Sequence, residues 1–171
     1  AHTFVDFPFN TKTSIFEVWK SDIMNNKIPP PIVTLVSGLA IYFSRNLFPN
    51  HNGLIIDVFS ILLLICGIII IRTAFLLFKN HQTTINPLNL TKTSSLVNTG
   101  IFKYTRNPMY LGMVFILLSI ALKFNLYGGL IVILLFFYFI TKFQIIPEEK
   151  AMEKLFGQEF KNYKNTTRRW L

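Results

Sequence analysis

From Leu54 to Phe78 the chain carries only two charged residues, Asp57 and Arg72, with 14 uncharged residues between them. At 1.5 Å per residue a helix over this run reaches ~37 Å, enough to cross the ~30 Å hydrocarbon core of a bilayer with some tilt. A helix this apolar needs lipid or a large core around it. The chain has 171 residues, only 15% of them charged against 51% hydrophobic, whereas soluble domains carry about 25% charged residues. Its mean hydropathy of +0.45 excludes a disordered polyelectrolyte despite the formal net charge of +9. What fits is an all-α polytopic membrane protein with basic rims.

Three further runs have the same character. No charge occurs from Ile28 to Ser44, and Pro29, Pro30 and Pro31 can only begin a helix, so a first span is expected from Pro31 to about Phe48. Pro49 to Gly53 then forms a turn. A third span starts at Asn107-Pro108 and continues to Leu122, with Lys123 able to snorkel from its end. Asn125 to Gly129 reads as a tight turn, and a fourth span from Leu130 to Ile146 is closed by Pro147. Spans three and four thus make a helical hairpin.

Lys and Arg are distributed unevenly among the connecting pieces. Three precede span one (Lys12, Lys20, Lys27), four join spans two and three (Lys79, Lys92, Lys103, Arg106), and seven follow span four (Lys142, Lys150, Lys154, Lys161, Lys164, Arg168, Arg169). The opposite side receives only Arg45 and Lys123. The positive-inside rule therefore puts both termini and the long connection in the cytoplasm, with the plasma membrane as the location in a bacterium. Charge spread along membrane rims makes nucleic acid a poor partner. Residues 1–30 lack a signal peptide's features, and Ser14 with Glu17 has capping-box spacing before the apolar face Ile15, Phe16, Trp19 and Ile23. An interfacial N-terminal helix is expected there. Cys66 is single, and His2, His51 and His81 are widely separated, so no metal site is expected.

Two cytoplasmic segments carry chemistry. The first runs from Ser94 to Gly112 and delivers the chain into span three, with Asn107 suited to the N-cap and Pro108 to the first helical position. The free N–H groups of that helix end, together with Arg106, favour an anionic group such as a carboxylate or phosphate. A capped helix whose Arg106 meets a lipid headgroup explains the same residues. The second segment follows span four, where Met152, Leu155, Phe156, Phe160 and Tyr163 recur at helical spacing. Glu148 and Glu149 fall in the first turn of this amphipathic tail helix, where carboxylates complement the helix dipole. Beside Arg106 they also suit a cationic or hydroxyl-rich ligand.

The stretch Leu96-Val97-Asn98-Thr99-Gly100-Ile101-Phe102-Lys103-Tyr104-Thr105-Arg106-Asn107-Pro108-Met109-Tyr110-Leu111-Gly112, followed later by Glu148-Glu149, Phe156-Gly157 and Arg168-Arg169-Trp170, resembles a known family. It is similar to the membrane methyltransferases that include isoprenylcysteine carboxyl methyltransferase and the phospholipid N-methyltransferases. Their pattern is Leu-Val-Thr-x-Gly-x-Tyr, Arg-His-Pro-x-Tyr-x-Gly, Glu-Glu and Phe-Gly, and the resemblance spans roughly residues 72–170, with Arg72 matching an arginine of bacterial relatives. It implies a single membrane methyltransferase domain over 1–171, with an interfacial segment 1–30, spans within 31–146 and a tail helix 147–171. It also implies S-adenosylmethionine as cofactor, bound near the cytoplasmic face. Carried over by position, the cofactor contacts are Ser94, Ser95, Leu96, Val97, Phe102, Asn107, Pro108, Met109, Tyr110 and Glu148. Arg106, Glu148 and Glu149 are the catalytic candidates. In this assignment Leu96, Val97 and Phe102 suit adenine, the helix end near Tyr110 suits the carboxylate, and Glu148 suits ribose hydroxyls or the ammonium. No Gly-x-Gly-x-x-Gly stretch exists in the chain, which excludes a Rossmann-type cofactor site.

The chain departs from the family pattern at several positions. Asn107 stands for histidine, Phe102 for tyrosine, and Ser94 for a histidine of the isoprenylcysteine enzymes. Gln144 occupies the place of their arginine four residues before the glutamate pair, and Lys142 lies about 200° away around a helix. The expected acceptor is therefore a lipophilic molecule or lipid, whether an isoprenylcysteine-type carboxylate, a lipid amine or a small thiol, entering sideways between spans. Two other readings are a non-catalytic membrane factor binding anionic lipid or a protein partner, and a relative of the sterol reductases, which share an Arg-x-Pro-x-Tyr segment.

Overall fold

Prolines open three of the helices, where a fixed φ and a missing N–H cost nothing. The structure is a computed structural model that describes residues 28–49, 53–80 and 95–171. The interfacial helix expected within residues 1–30, the three histidines and Ser94 lie outside or almost entirely outside the described residues. Every regular element among the described residues is helical.

Helix α1 runs Pro30–Phe43 and passes into a 3-10 turn, Ser44–Leu47. The α-helix is shorter than the expected Pro31–Phe48 because its end is tied down. Ser44 Oγ donates to Ile41 O (3.0 Å), and the Asn125 amide donates to both Ser44 O (3.1 Å) and Ser44 Oγ (3.0 Å). Helix α2 covers Leu54–Asn80 and α3 covers Pro108–Phe124. These two meet over a pair of glycines. A Cβ on Gly67 would lie 2.7 Å from Gly112 O, and one on Gly112 would lie 2.8 Å from Gly67 O and 2.6 Å from Ile71 Cγ1. Backbone-to-backbone contact of this kind is how helices associate where lipid removes the hydrophobic drive. Gly112→Ala is accordingly expected to cost about 1–3 kcal/mol by forcing the backbones apart; an unchanged thermal midpoint in detergent would show that they do not approach this closely. At the far end of the same pair, Lys123 Nζ meets Asp57 Oδ1 at 2.7 Å.

The turn expected over Asn125–Gly129 shrinks to one residue. Asn125 is buried and extended, its side chain accepts from Gly128 N–H (3.0 Å), and helix α4 begins immediately as Leu126–Ile140. Gly129 lies inside the helix against Ala121, where a Cβ would come within 2.3 Å of the alanine methyl.

Pro147 does not end the fourth helix, contrary to its local preference. A π-turn over Thr141–Ile145, in which Ile146 N–H reaches back to Thr141 O, widens the spiral just before the proline. Helix α5, Ile146–Thr166, then continues without a break, and Pro147 sits in its first turn. Gly157, at φ 50° and ψ −116°, kinks α5. One core gathers Ile41, Met113, Leu117, Ile133, Phe136, Ile140 and Ile145 between α1, α3 and α4. A second holds Ala74, Leu96, Val97, Phe102, Phe160 and Tyr163 beneath α5.

Among the described residues, two helical runs are long and apolar enough to cross a membrane: α2, and the run from Leu126 to Thr166, which Gly157 kinks. The apolar α1 and α3 are shorter. The outer side of α2 exposes Ile55, Val58, Phe59, Leu62, Ile65 and Ile69.

Candidate functional site

The chain enters α3 through a short strap whose geometry is set from both ends of the sequence. A 3-10 turn at Gly100–Lys103 opens on Gly100 at φ 57°, and the Tyr163 hydroxyl of α5 donates to Phe102 O (2.6 Å). The C-terminal residues run alongside. Arg106 N–H donates to Arg168 O (3.0 Å), and Arg169 O accepts from Thr105 Oγ1 (3.2 Å) and Asn107 Nδ2 (2.9 Å). Trp170 stacks on Phe137 with ring centroids 4.0 Å apart and donates to Thr141 Oγ1 (3.3 Å).

Asn107 thus does not cap α3 with its side chain, which is turned to the C-terminal backbone instead. The first intrahelical bond is Leu111 N–H to Asn107 O (3.0 Å). The N–H groups of Met109 and Tyr110 precede it, in the turn where a helix has no internal acceptors.

Glu149 is buried between two guanidiniums. Its Oε1 lies 2.7 Å from Arg106 Nη2 and 3.0 Å from Arg169 Nε, and its Oε2 lies 2.7 Å from Arg169 Nη2. Arg106 Nη1 also donates to the carbonyls of Lys164 (3.2 Å) and Thr167. Burial alone would raise the Glu149 carboxyl, but hydrogen bonds and charge from Arg169 and Arg106 outweigh it and hold the group below the usual carboxylate range.

Glu148, one residue earlier on α5, behaves oppositely. Burial pushes its carboxyl up to about 7; the Tyr110 hydrogen bond works against that rise and the neighbouring Glu149 charge adds to it. The Tyr110 hydroxyl donates to Glu148 Oε1 at 2.6 Å.

These two side chains face a cavity of about 560 Å³, within the ~300–1,000 Å³ typical of small-molecule sites. Phe102, Arg106, Asn107, Pro108, Met109, Tyr110 and Glu148, all expected from the sequence, line it. Leu96 and Val97 do not: they pack in the second core behind Phe102. Ser95 is partly buried next to them. Glu149 is turned into its ion pairs, so the glutamate pair divides into one member at the cavity and one in the scaffold. Arg106 touches the cavity, yet its guanidinium is committed to Glu149 and two carbonyls.

The apolar wall was not anticipated. Phe75 and Phe78, one turn apart near the end of α2, face Met113 and the prolines that open α1. Their i, i+3 spacing is the only local signal, and it matches that of lipid-facing residues. Gln144, the residue that departs from the isoprenylcysteine pattern, also lines the cavity and donates to Ile28 O at 2.8 Å. Arg169 belongs to the Arg168-Arg169-Trp170 end of the family resemblance and to a basic tail, but nothing local in the sequence pairs it with Glu149.

The donor set fits S-adenosylmethionine. Glu148 suits an ammonium or ribose hydroxyls, the opening turn of α3 suits a carboxylate, and the aromatic and thioether side chains suit adenine and the sulfonium. No group of three or more His, Cys, Asp or Glu suited to a metal ion occurs among the described residues.

A family model described as phospholipid methyltransferase matches residues 55–159. A protein of Haemophilus influenzae, described only as uncharacterized, is 38% identical over 63 residues, which is 37% of this chain and the whole of that protein. No solved structure matches the chain.

Proposed function

The chain belongs to the phospholipid methyltransferase family, and from that premise we propose that it is an integral membrane enzyme moving a methyl group from S-adenosylmethionine to a lipophilic acceptor. Family membership implies methyltransferase activity in general terms; the cofactor, the acceptor class and the topology are our reading. The observation that carries it is the juxtaposition, in one cavity, of the Glu148–Tyr110 pair at the start of α3 with an apolar wall of Phe75, Phe78 and Met113. A polar end for the cofactor and an apolar end for an alkyl or lipid chain are what such a transfer requires.

Bound S-adenosylmethionine would supply an activated methyl on a sulfonium, a good leaving group that leaves the protein mainly to align and exclude water. Glu148 would bind the ammonium or ribose hydroxyls, held in place by Tyr110. The opening turn of α3 would present the N–H groups of Met109 and Tyr110 to a carboxylate. Where the acceptor bears a proton, as an amine or thiol does, a carboxylate with a midpoint near neutrality is suited to take it up. Gln144, neutral and bonded to Ile28 O, leaves the arginine place of the isoprenylcysteine enzymes without charge.

The topology that goes with this reading has four crossings, by α1 with its 3-10 extension, α2, α3 and α4. The cavity and both termini then lie on the basic, cytoplasmic side. Residues 30–47 of the first crossing reach ~27 Å if fully α-helical, so that part of the bilayer is crossed with little tilt.

Two measurements test the reading. Purified protein in lipid nanodiscs should bind S-adenosylmethionine by calorimetry, and lipid extract incubated with methyl-labelled cofactor should yield a labelled lipophilic product. Absence of binding would remove the proposal. The affinity should also rise about tenfold between pH ~6 and ~8, as Glu148 ionises and becomes a better acceptor for the ligand's donors. A flat profile would mean that Glu148 does not meet the ligand.

A further inference from the structure

The C-terminal segment beyond α5 does more than end the chain. Its backbone carbonyls at Thr167, Arg168 and Arg169 accept four bonds from Thr105, Arg106 and Asn107. The residues it holds are the ones that lead into the first turn of α3, and two of them, Arg106 and Asn107, line the cavity. The side chain of Arg169 closes the same connection from the other direction. It grips Glu149 through both carboxylate oxygens, while Arg106 takes Oε1 from the opposite side. Arg169 itself does not line the cavity.

We infer that Arg169 is a positioning residue: through the Glu149 carboxylate that it shares with Arg106, it fixes the entry to α3 and sets the charge that Glu148 faces. The inference rests on the reading of the cavity as a methyltransferase site. Its physical core is simple. Glu149 carries one negative charge directly beside Glu148 on α5, and two guanidiniums neutralise it. With both present, the Glu149 charge that raises Glu148 is countered from two sides; with Arg169 gone, only Arg106 counters it. The groups facing Glu148 are Tyr110 from α3, Arg106 from the strap before it, and Glu149 from α5, with Arg169 acting through Glu149. A purely structural role for Arg169 would loosen the C-terminal segment but would not predict opposite shifts from its removal and from the removal of Glu149.

The experiment reads the ionisation of Glu148 directly in the intact protein in nanodiscs, as the protonated-carboxyl infrared band that Glu148→Gln removes. In Arg169→Gln the midpoint should move up by about one pH unit, because a neutralising cation has been taken from Glu149. In Glu149→Gln, which keeps the shape of the side chain, it should move down by about one unit. Arg169→Lys should return most of the shift, because it restores the charge without the two-pronged grip. Calorimetry on the same samples should show S-adenosylmethionine binding weakened about tenfold in Arg169→Gln and less in Arg169→Lys. Unmoved midpoints, or shifts of the same sign in Arg169→Gln and Glu149→Gln, would overturn the inference. If Arg169→Gln does not fold, Glu149→Gln must still lower the midpoint and Arg169→Lys hold it close to the parent's; an unmoved midpoint in the first, or a lowered one in the second, overturns the inference. Failure of the parent protein to bind S-adenosylmethionine would count against the cofactor reading alone, since the midpoints are measured without ligand.

Discussion

Glu148→Gln is expected to weaken S-adenosylmethionine binding about a hundredfold while leaving the protein folded. The amide retains an oxygen for the Tyr110 hydroxyl, which now lies 2.6 Å from Glu148 Oε1. What it loses is the charge and one acceptor, and a hydrogen bond to an ionised group contributes about 1.5–3 kcal/mol where a neutral one contributes about 1. The upper part of that range corresponds to two powers of ten in affinity. The substitution should also abolish the rise in affinity across neutral pH, because no ionisable carboxyl remains at that position. Calorimetric titration of parent and variant at two pH values checks both statements together. Equal affinities would place the cofactor elsewhere, and a loss of the folded state would show that Glu148 is needed by the scaffold.

Arg106→Ala should act in the other manner, through stability. The guanidinium is only 10% exposed and meets Glu149, whose side chain is equally enclosed. Removing one partner of a buried ion pair strands the other, at about 3–5 kcal/mol where no second partner exists. Arg169 remains to hold Glu149, so about 3 kcal/mol is the appropriate figure. The carbonyls of Lys164 and Thr167 also lose their donor. A markedly lower thermal midpoint is therefore expected, with loss of binding following from loss of the strap. If instead the variant melts like the parent and binds cofactor normally but is inactive, Arg106 acts on the reacting groups and its ion pairs are incidental.

The parts of this molecule that were legible in the sequence are those that depend on neighbours along the chain. Helix α2 begins at the expected Leu54 and runs two residues beyond Phe78, because a long apolar run has few other options. Proline at the first turn marks α3 correctly. Local rules failed where a distant residue intervened. The local preference of Pro147 is to stop a helix, yet a widened five-residue turn, ending two positions before the proline, accommodates it. Asn107 has the composition of an N-cap, but a C-terminal carbonyl sixty-two positions away offers its amide a better partner. Glu148 and Glu149 are indistinguishable in sequence, and only their orientation on α5 separates them. One meets a tyrosine and a cavity; the other meets two arginines. The aromatic wall of Phe75 and Phe78 was hidden for a different reason. In a chain that reads as lipid-facing along most of α2, apolar residues at a binding site look the same as apolar residues in contact with lipid.

The uninterrupted passage from α4 into α5 makes the bilayer itself a variable of the site. Gln144 lies within the π-turn and Glu148 one turn beyond it, and both line the cavity. A helix that must tilt to match a thicker or thinner hydrocarbon layer carries everything rigidly attached to it. On the proposed four-crossing topology, lipid thickness acting on α4 would shift two cavity residues relative to the start of α3, so bilayers of different thickness should change the site's geometry without a lipid occupying it.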